Sequence, residues 1–202
     1  MSIALFSTAY LPPVAYVAAL ARREAVLMEM KETFPKQTYR NRALIMTAEG
    51  VRALTVPVVR RNHSRTEEVT IDYRTRWNVV HLRTLTAAYA ASPYFLYYRD
   101  GLERALLRHY ERLADLNESL LDWLLGALKI SCRRIPTDDY SPVAADDYRN
   151  RYSPKVALPA DAFPPYYQVF ADRQPFAPNL SAVDLLMNMG PEARDYLKDI
   201  AI

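Results

Sequence analysis

The chain of 202 residues is half hydrophobic and carries a formal net charge of +3, long enough to bury a core and too apolar for a disordered chain. So mild a charge demands neither nucleic acid nor an anionic membrane as partner. Cys132 is the single cysteine, which excludes an intrachain disulfide and suits a reducing compartment.

In chain order, IALFSTAY at 3–10 predicts a short buried strand. Pro12 and Pro13 suit the first turn of the helix that VAYVAALAR continues, because the N–H that proline lacks is unpaired there anyway. EAVLMEM at 24–30 predicts a second strand. Strand, helix and strand in quick succession form a βαβ opening with parallel pairing. RALIMT and VRALTVPVV are extended runs around a turn at Gly50, the pattern of a hairpin, and Pro57 suggests an edge position for the second. VTIDY is a further short strand.

From Trp77 onward, Val80, His81, Thr84, Leu85, Ala88 and Tyr89 recur at the spacing of one buried helix face, ended by Ser92 and Pro93. A stretch rich in Tyr and Arg at 94–110 predicts a second helix, and Leu113, Leu116, Leu120, Trp123, Leu124 and Leu128 mark a third. Between 131 and 165 six prolines and no period predict an unstructured stretch, either a lid or a disordered segment. Near the end, Ser181 and Asp184 fit a capping box, Gly190 closes one short helix and Pro191 opens the next. The expected fold class is α/β, a small partly parallel sheet with flanking helices and a helical mid-section, in a single domain. The opening MSIALFSTAYLPPVAY lacks a basic region and is broken by its prolines, so it is not read as a signal peptide. No uncharged apolar run reaches membrane-spanning length, and a cytoplasmic protein without a transmembrane segment is expected.

The four glycines, Gly50, Gly101, Gly126 and Gly190, leave no room for a Walker A loop, a dinucleotide-binding G-x-G-x-x-G or a G-x-S-x-G nucleophile elbow. His63, His81 and His109 are scattered, so no metal site is expected. The pairs Asp138–Asp139 and Asp146–Asp147 are read as solvated loop charges. Cys132 is read as a small buried hydrophobe, with nothing beside it to activate a nucleophile. Asn117 sits among apolar helix positions as a buried polar anchor.

The segments STAYLPPVAY, KQTYRNRALI, LTVPV, IDYRTRWNVVHLRTLTAAYAASPYF, LADLNESLLDWLL and FAPNLSAVDLLMNMGPEA together resemble the WbqC-like family of bacterial proteins, in the family's order over most of the chain. The chain departs from relatives that carry Gln-Pro before the first tyrosine and Trp-Gly after it: Ser7 and Thr8 precede Tyr10 here, and Pro13 and Val14 follow. The resemblance implies a role in surface polysaccharide biosynthesis of the O-antigen type, with glycyl or acyl transfer onto an activated sugar. The partner would be an anionic small molecule, a nucleotide sugar or sugar phosphate, and other glycan-biosynthesis enzymes. No cofactor and no oligomeric state is implied. Two alternatives stand beside it: a nucleotidyltransferase-like enzyme, and a non-catalytic scaffold exposing Tyr94, Tyr97 and Tyr98.

FPKQTYRNR at 34–42 supplies the candidate anion site. Lys36 and Arg42 would hold a phosphate or carboxylate, with Arg40 beside them and Asn41 orienting it; the bland reading is a solvated basic loop. His81, on the same helix face as Trp77, is either a general base or a core histidine. Tyr10 and Tyr16 flank the first strand-to-helix turn, where free helix N–H groups would form an opposite wall; the alternative is aromatic packing.

Overall fold

The computed structural model describes residues 3–201, so Met1 and Ser2 of the leader reading lie outside the described residues. β1 (Leu5–Ser7) is buried along its length and pairs parallel with β2 (Ala25–Glu29). The crossover between them is α1 (Val14–Ala21), which buries every residue from Val14 to Leu20. Such a helix, apolar all round, has to be enclosed, and it is the centre of one of two hydrophobic cores.

The hairpin of β3 (Arg42–Thr47) and β4 (Gly50–Thr55) turns at Gly50, whose φ of 104° suits a residue without a Cβ. Pro57 lies beyond β4, ahead of the short pair β5 (Val58–Val59) and β6 (Thr70–Ile71). Three helices follow as the periodicity predicts: α2 (Trp77–Tyr89), α3 (Phe95–Leu107) and α4 (Leu113–Ala127). α4 is shared between the cores. Its first half packs Leu113, Leu116 and Leu120 under the hairpin and α2, and its second half packs Leu121, Leu124 and Leu125 against α1.

The proline-rich stretch is not structureless. β7 (Arg133–Pro136) pairs parallel with β2, giving the strand order β1-β2-β7. Farther on, Leu5 donates to the Asp146 carbonyl and accepts from Tyr148, so the same stretch also fastens to the other side of β1. Pro136 is tolerated because it ends an edge strand, where a missing N–H costs nothing in the ladder. β7 escapes a sequence reading because it is four residues long and no alternation can be seen over that length.

α5 (Ala182–Met189) is capped by Ser181, whose hydroxyl accepts from the Val183 N–H. Asp184 takes no part in the cap. Its carboxylate is fully buried and accepts from Tyr89 and Tyr166 hydroxyls at 3.0 and 2.6 Å, and from Gln168 at 3.1 Å. Gly190 closes α5 at φ 55° and ψ −126°, a region comfortable only for glycine, before Pro191 leads into α6 (Ala193–Asp199).

The carboxyl ends of β1, β2 and β7 are sealed by buried charge. Glu29, fully buried at the end of β2, accepts from Arg149 Nη1 at 3.2 Å, Thr137 Oγ1 at 3.0 Å and the Lys31 N–H at 2.8 Å. Arg149 also forks onto Asp147, so that carboxylate is paired rather than merely solvated, as is Asp146 with Arg23. Removing one partner from a buried pair strands the other. Arg149→Met, which leaves the fully buried Glu29 carboxylate without its cation, is therefore expected to lose about 3–5 kcal/mol in urea unfolding. Asp172→Asn, in the exposed pair with Arg173, should leave the midpoint unchanged.

Candidate functional site

The residues singled out from the sequence separate into three places. Arg40 is 2 % exposed and forks onto Glu32 through Nε and Nη2 at 2.6 and 2.8 Å. Its guanidinium is thus committed to an internal ion pair and gives no charge to a ligand. Asn41 donates to the Val56 carbonyl at 2.9 Å, fixing the entry to the hairpin. Arg42 begins β3, with a buried Nε that has no partner. Lys36 alone in this loop is an exposed cation, and no partner among the described residues engages it.

The first strand-to-helix turn and this loop do touch, since the Tyr10 N–H donates to the Tyr39 carbonyl at 2.8 Å. Asn117 joins them too, giving Nδ2 to Thr8 Oγ1 at 3.1 Å and to the Arg40 carbonyl at 2.8 Å, while its Oδ1 stays unpartnered. It is the polar anchor that its place among apolar positions suggests. The turn does not present a free helix N-terminus, however. The Val14 N–H is taken by the Leu180 carbonyl and the Ala15 N–H by Asn179 Oδ1, each at 2.9 Å. Tyr16 is buried and donates to the Ser7 carbonyl at 2.8 Å. Leu11 in this turn holds φ at 40°, a strained value kept in place by its fully buried side chain.

Tyr10, Trp77 and His81 form the third group, an aromatic cluster under the hairpin. His81 Nδ1 lies 2.8 Å from the Tyr10 hydroxyl, and its ring packs edge-on against Trp77 with centroids 5.2 Å apart. The Thr55 backbone favours the protonated ring, an effect that burial outweighs. Burial, reinforced by the charge of Arg52, pushes His81 down to about 4, and it is neutral at ordinary pH. Paired through Nδ1 with Tyr10, His81 is built as a positioning group for that hydroxyl. Cys132 is buried, and burial pushes its thiol up, away from a reactive thiolate.

Free guanidinium groups lie elsewhere. Between the tip of the β3–β4 hairpin and α2 runs a cleft of about 380 Å³, lined by Arg52, Arg83, Glu49, Thr47, Thr84 and Phe170 among others. Arg52 and Arg83 are exposed, and among the described residues no carboxylate pairs with either. Their side chains, together with the Phe170 ring, make a surface for a group with negative charge and a flat face. Sequence reasoning missed this site because the two arginines lie on a strand and a helix far apart in the chain, and neither belongs to a basic run. No three or more His, Cys, Asp or Glu side chains converge on a metal-binding arrangement among the described residues.

A family model described as the WbqC-like protein family matches residues 8–157. The chain belongs to the WbqC-like family. A similar protein is the uncharacterized protein Rv1507c of Mycobacterium tuberculosis, 28% identical, with 97% of this chain and 97% of that one covered. No solved structure matches. No helix among the described residues is long and apolar enough to cross a membrane.

The buried neutral His81 carries a pH signature. Its folded value is depressed below about 6.5, so its contribution is fully present above that pH and is lost as the pH falls towards 4. Between pH 7 and pH 5 this amounts to about 2 kcal/mol. Urea unfolding should show a His81→Gln variant losing less stability than the parent over that interval, by roughly this amount.

Proposed function

We propose that the protein is a cytoplasmic transferase acting on an activated, anionic sugar precursor of bacterial surface polysaccharide, of the O-antigen type, by glycyl or acyl transfer. Its family resemblance supports the pathway. The observation that carries the site is the pair of uncommitted guanidiniums, Arg52 and Arg83, facing one cleft beside Phe170. They would hold the phosphate or diphosphate of the precursor, with Phe170 against its ring. Glu49, the carboxylate on the same cleft, would take the proton released when a hydroxyl or amine of the sugar attacks the carbonyl of a thioester donor, whose carbon–sulfur bond breaks as the thiolate leaves. Lys36 and Arg42 remain the alternative anion holders, with Arg40 and Asn41 framing their loop. Tyr10, Trp77 and His81 would act from the cluster under the hairpin, and Tyr16 from the first turn.

A second reading, a non-catalytic docking protein for glycan enzymes, is favoured by α3, which exposes Leu96 at 80 % and Tyr97 at 84 %.

Thermal unfolding against nucleoside-diphosphate sugars, sugar phosphates and acyl-coenzyme A separates these readings. A ligand at a hundred times its dissociation constant adds about 2.7 kcal/mol. The expected result is stabilisation by a phosphorylated sugar that disappears in Arg52→Ala/Arg83→Ala and survives in Lys36→Ala. The reverse pattern would move the site to the 34–42 loop, and silence across the panel would favour the docking reading.

A further inference from the structure

A second cleft, of about 390 Å³, opens where the segment after Pro165 crosses the ends of α3, α5 and α6. Tyr94, Tyr166, Tyr167 and Tyr196 line it, with Asn188 and Glu192. Its shape is fixed from behind. Tyr166 is held by its bond to Asp184 and stands edge-on to Tyr196 with centroids 5.2 Å apart. Tyr196 donates to the Pro164 carbonyl at 2.8 Å. Tyr94 lies so close over Gly190 that a Cβ there would come within 2.5 Å of its ring. Asn188 is only 7 % exposed and spends its amide group on the Asp184 carbonyl at 2.8 Å, leaving Oδ1 with no partner.

The chemistry of this lining is selective. There is no cation in it, so nothing there favours a phosphate. The polar groups on offer without a bond of their own are the Tyr94 and Tyr167 hydroxyls, which both donate and accept, and the Glu192 carboxylate, which accepts; the Asn188 Oδ1 is closed off beneath them. Hydroxyls that donate and accept beside a carboxylate that accepts suit a ligand bearing several hydroxyls. The remaining walls are aromatic faces, which suit a ring with C–H groups on one side. A ligand that brings several hydroxyl donors and an apolar face is a sugar. We infer that the Tyr94–Tyr166–Tyr167–Tyr196 cleft binds a pyranose ring, with its hydroxyls bonded to the Glu192 carboxylate and the Tyr94 hydroxyl and a C–H face against Tyr167. The segment that supplies Tyr166 and Tyr167 also supplies Phe170 to the arginine cleft, so one strap borders a neutral-sugar subsite and an anion subsite. The inference does not depend on the transferase reading.

The test is ligand-observed saturation-transfer NMR on the whole chain, with methyl glycosides of common hexoses, deoxyhexoses and N-acetylhexosamines at millimolar concentration and choline as a cationic control. At least one glycoside should bind, with transfer strongest at the C–H protons of one ring face. Tyr167→Ala, which removes a 62 % exposed side chain and leaves the core intact, should weaken that binding about tenfold. Arg52→Ala/Arg83→Ala should leave it unchanged, which separates failure of this subsite from failure of the anion site. Absence of transfer to every glycoside, or glycoside binding indifferent to Tyr167→Ala, overturns the inference. So does choline binding tighter than any glycoside, because four tyrosines and a carboxylate would then form an ammonium cage.

Discussion

The buried ion pair between Glu29 and Arg149 is the constraint on which the rest of the molecule depends. It closes the carboxyl edge of the parallel sheet by tying β2 to the stretch that runs back past β1. The Arg149 carbonyl then accepts from Ser7 Oγ and Arg40 Nη2, each at 3.3 Å, which links this pair to Arg40 and Glu32. In open α/β sheets this edge is the usual ligand crevice. Here its two buried arginines face Glu29, Glu32 and Asp147, and the positive charge there is cancelled from within. The uncommitted guanidiniums of Arg52 and Arg83 lie instead on the hairpin and α2.

Much of the architecture is legible in the residues because it rests on local signals. The first βαβ unit follows from short apolar strands around a proline-started helix. The hairpin follows from Gly50, and the mid-chain helices from the apolar spacing after Trp77 and the leucine stripe after Leu113, with a Tyr- and Arg-rich stretch between them. These features need no knowledge of what packs against them. The α/β class with its small parallel sheet follows directly.

What the residues conceal depends on distant partners. The four-residue β7 is too short to show a period, and its identity comes from pairing with β2 more than a hundred positions earlier. Arg40 reads as a ligand-holding cation until Glu32 is seen beside it. Asp184 reads as a cap because it stands three residues after Ser181, yet two tyrosine hydroxyls, reaching it from α2 and from the strap at 165–170, make it a buried acceptor. His81 is on the face that its spacing predicts, but its neutrality comes from burial, reinforced by the charge of Arg52. The site was thus less legible than the fold. The cleft joins Thr47, Arg52, Arg83 and Phe170 from three separate segments.

The most direct test of the central claim is backbone amide chemical-shift mapping of the intact protein titrated with a nucleoside-diphosphate sugar. The account predicts saturable shifts concentrated at Thr47, Arg52, Arg83, Thr84 and Phe170, with the sealed edge around Glu29 and Arg149 unmoved. Shifts centred on Lys36 and Arg42, or on Thr8 and Asn117 at the carboxyl edge, would contradict it.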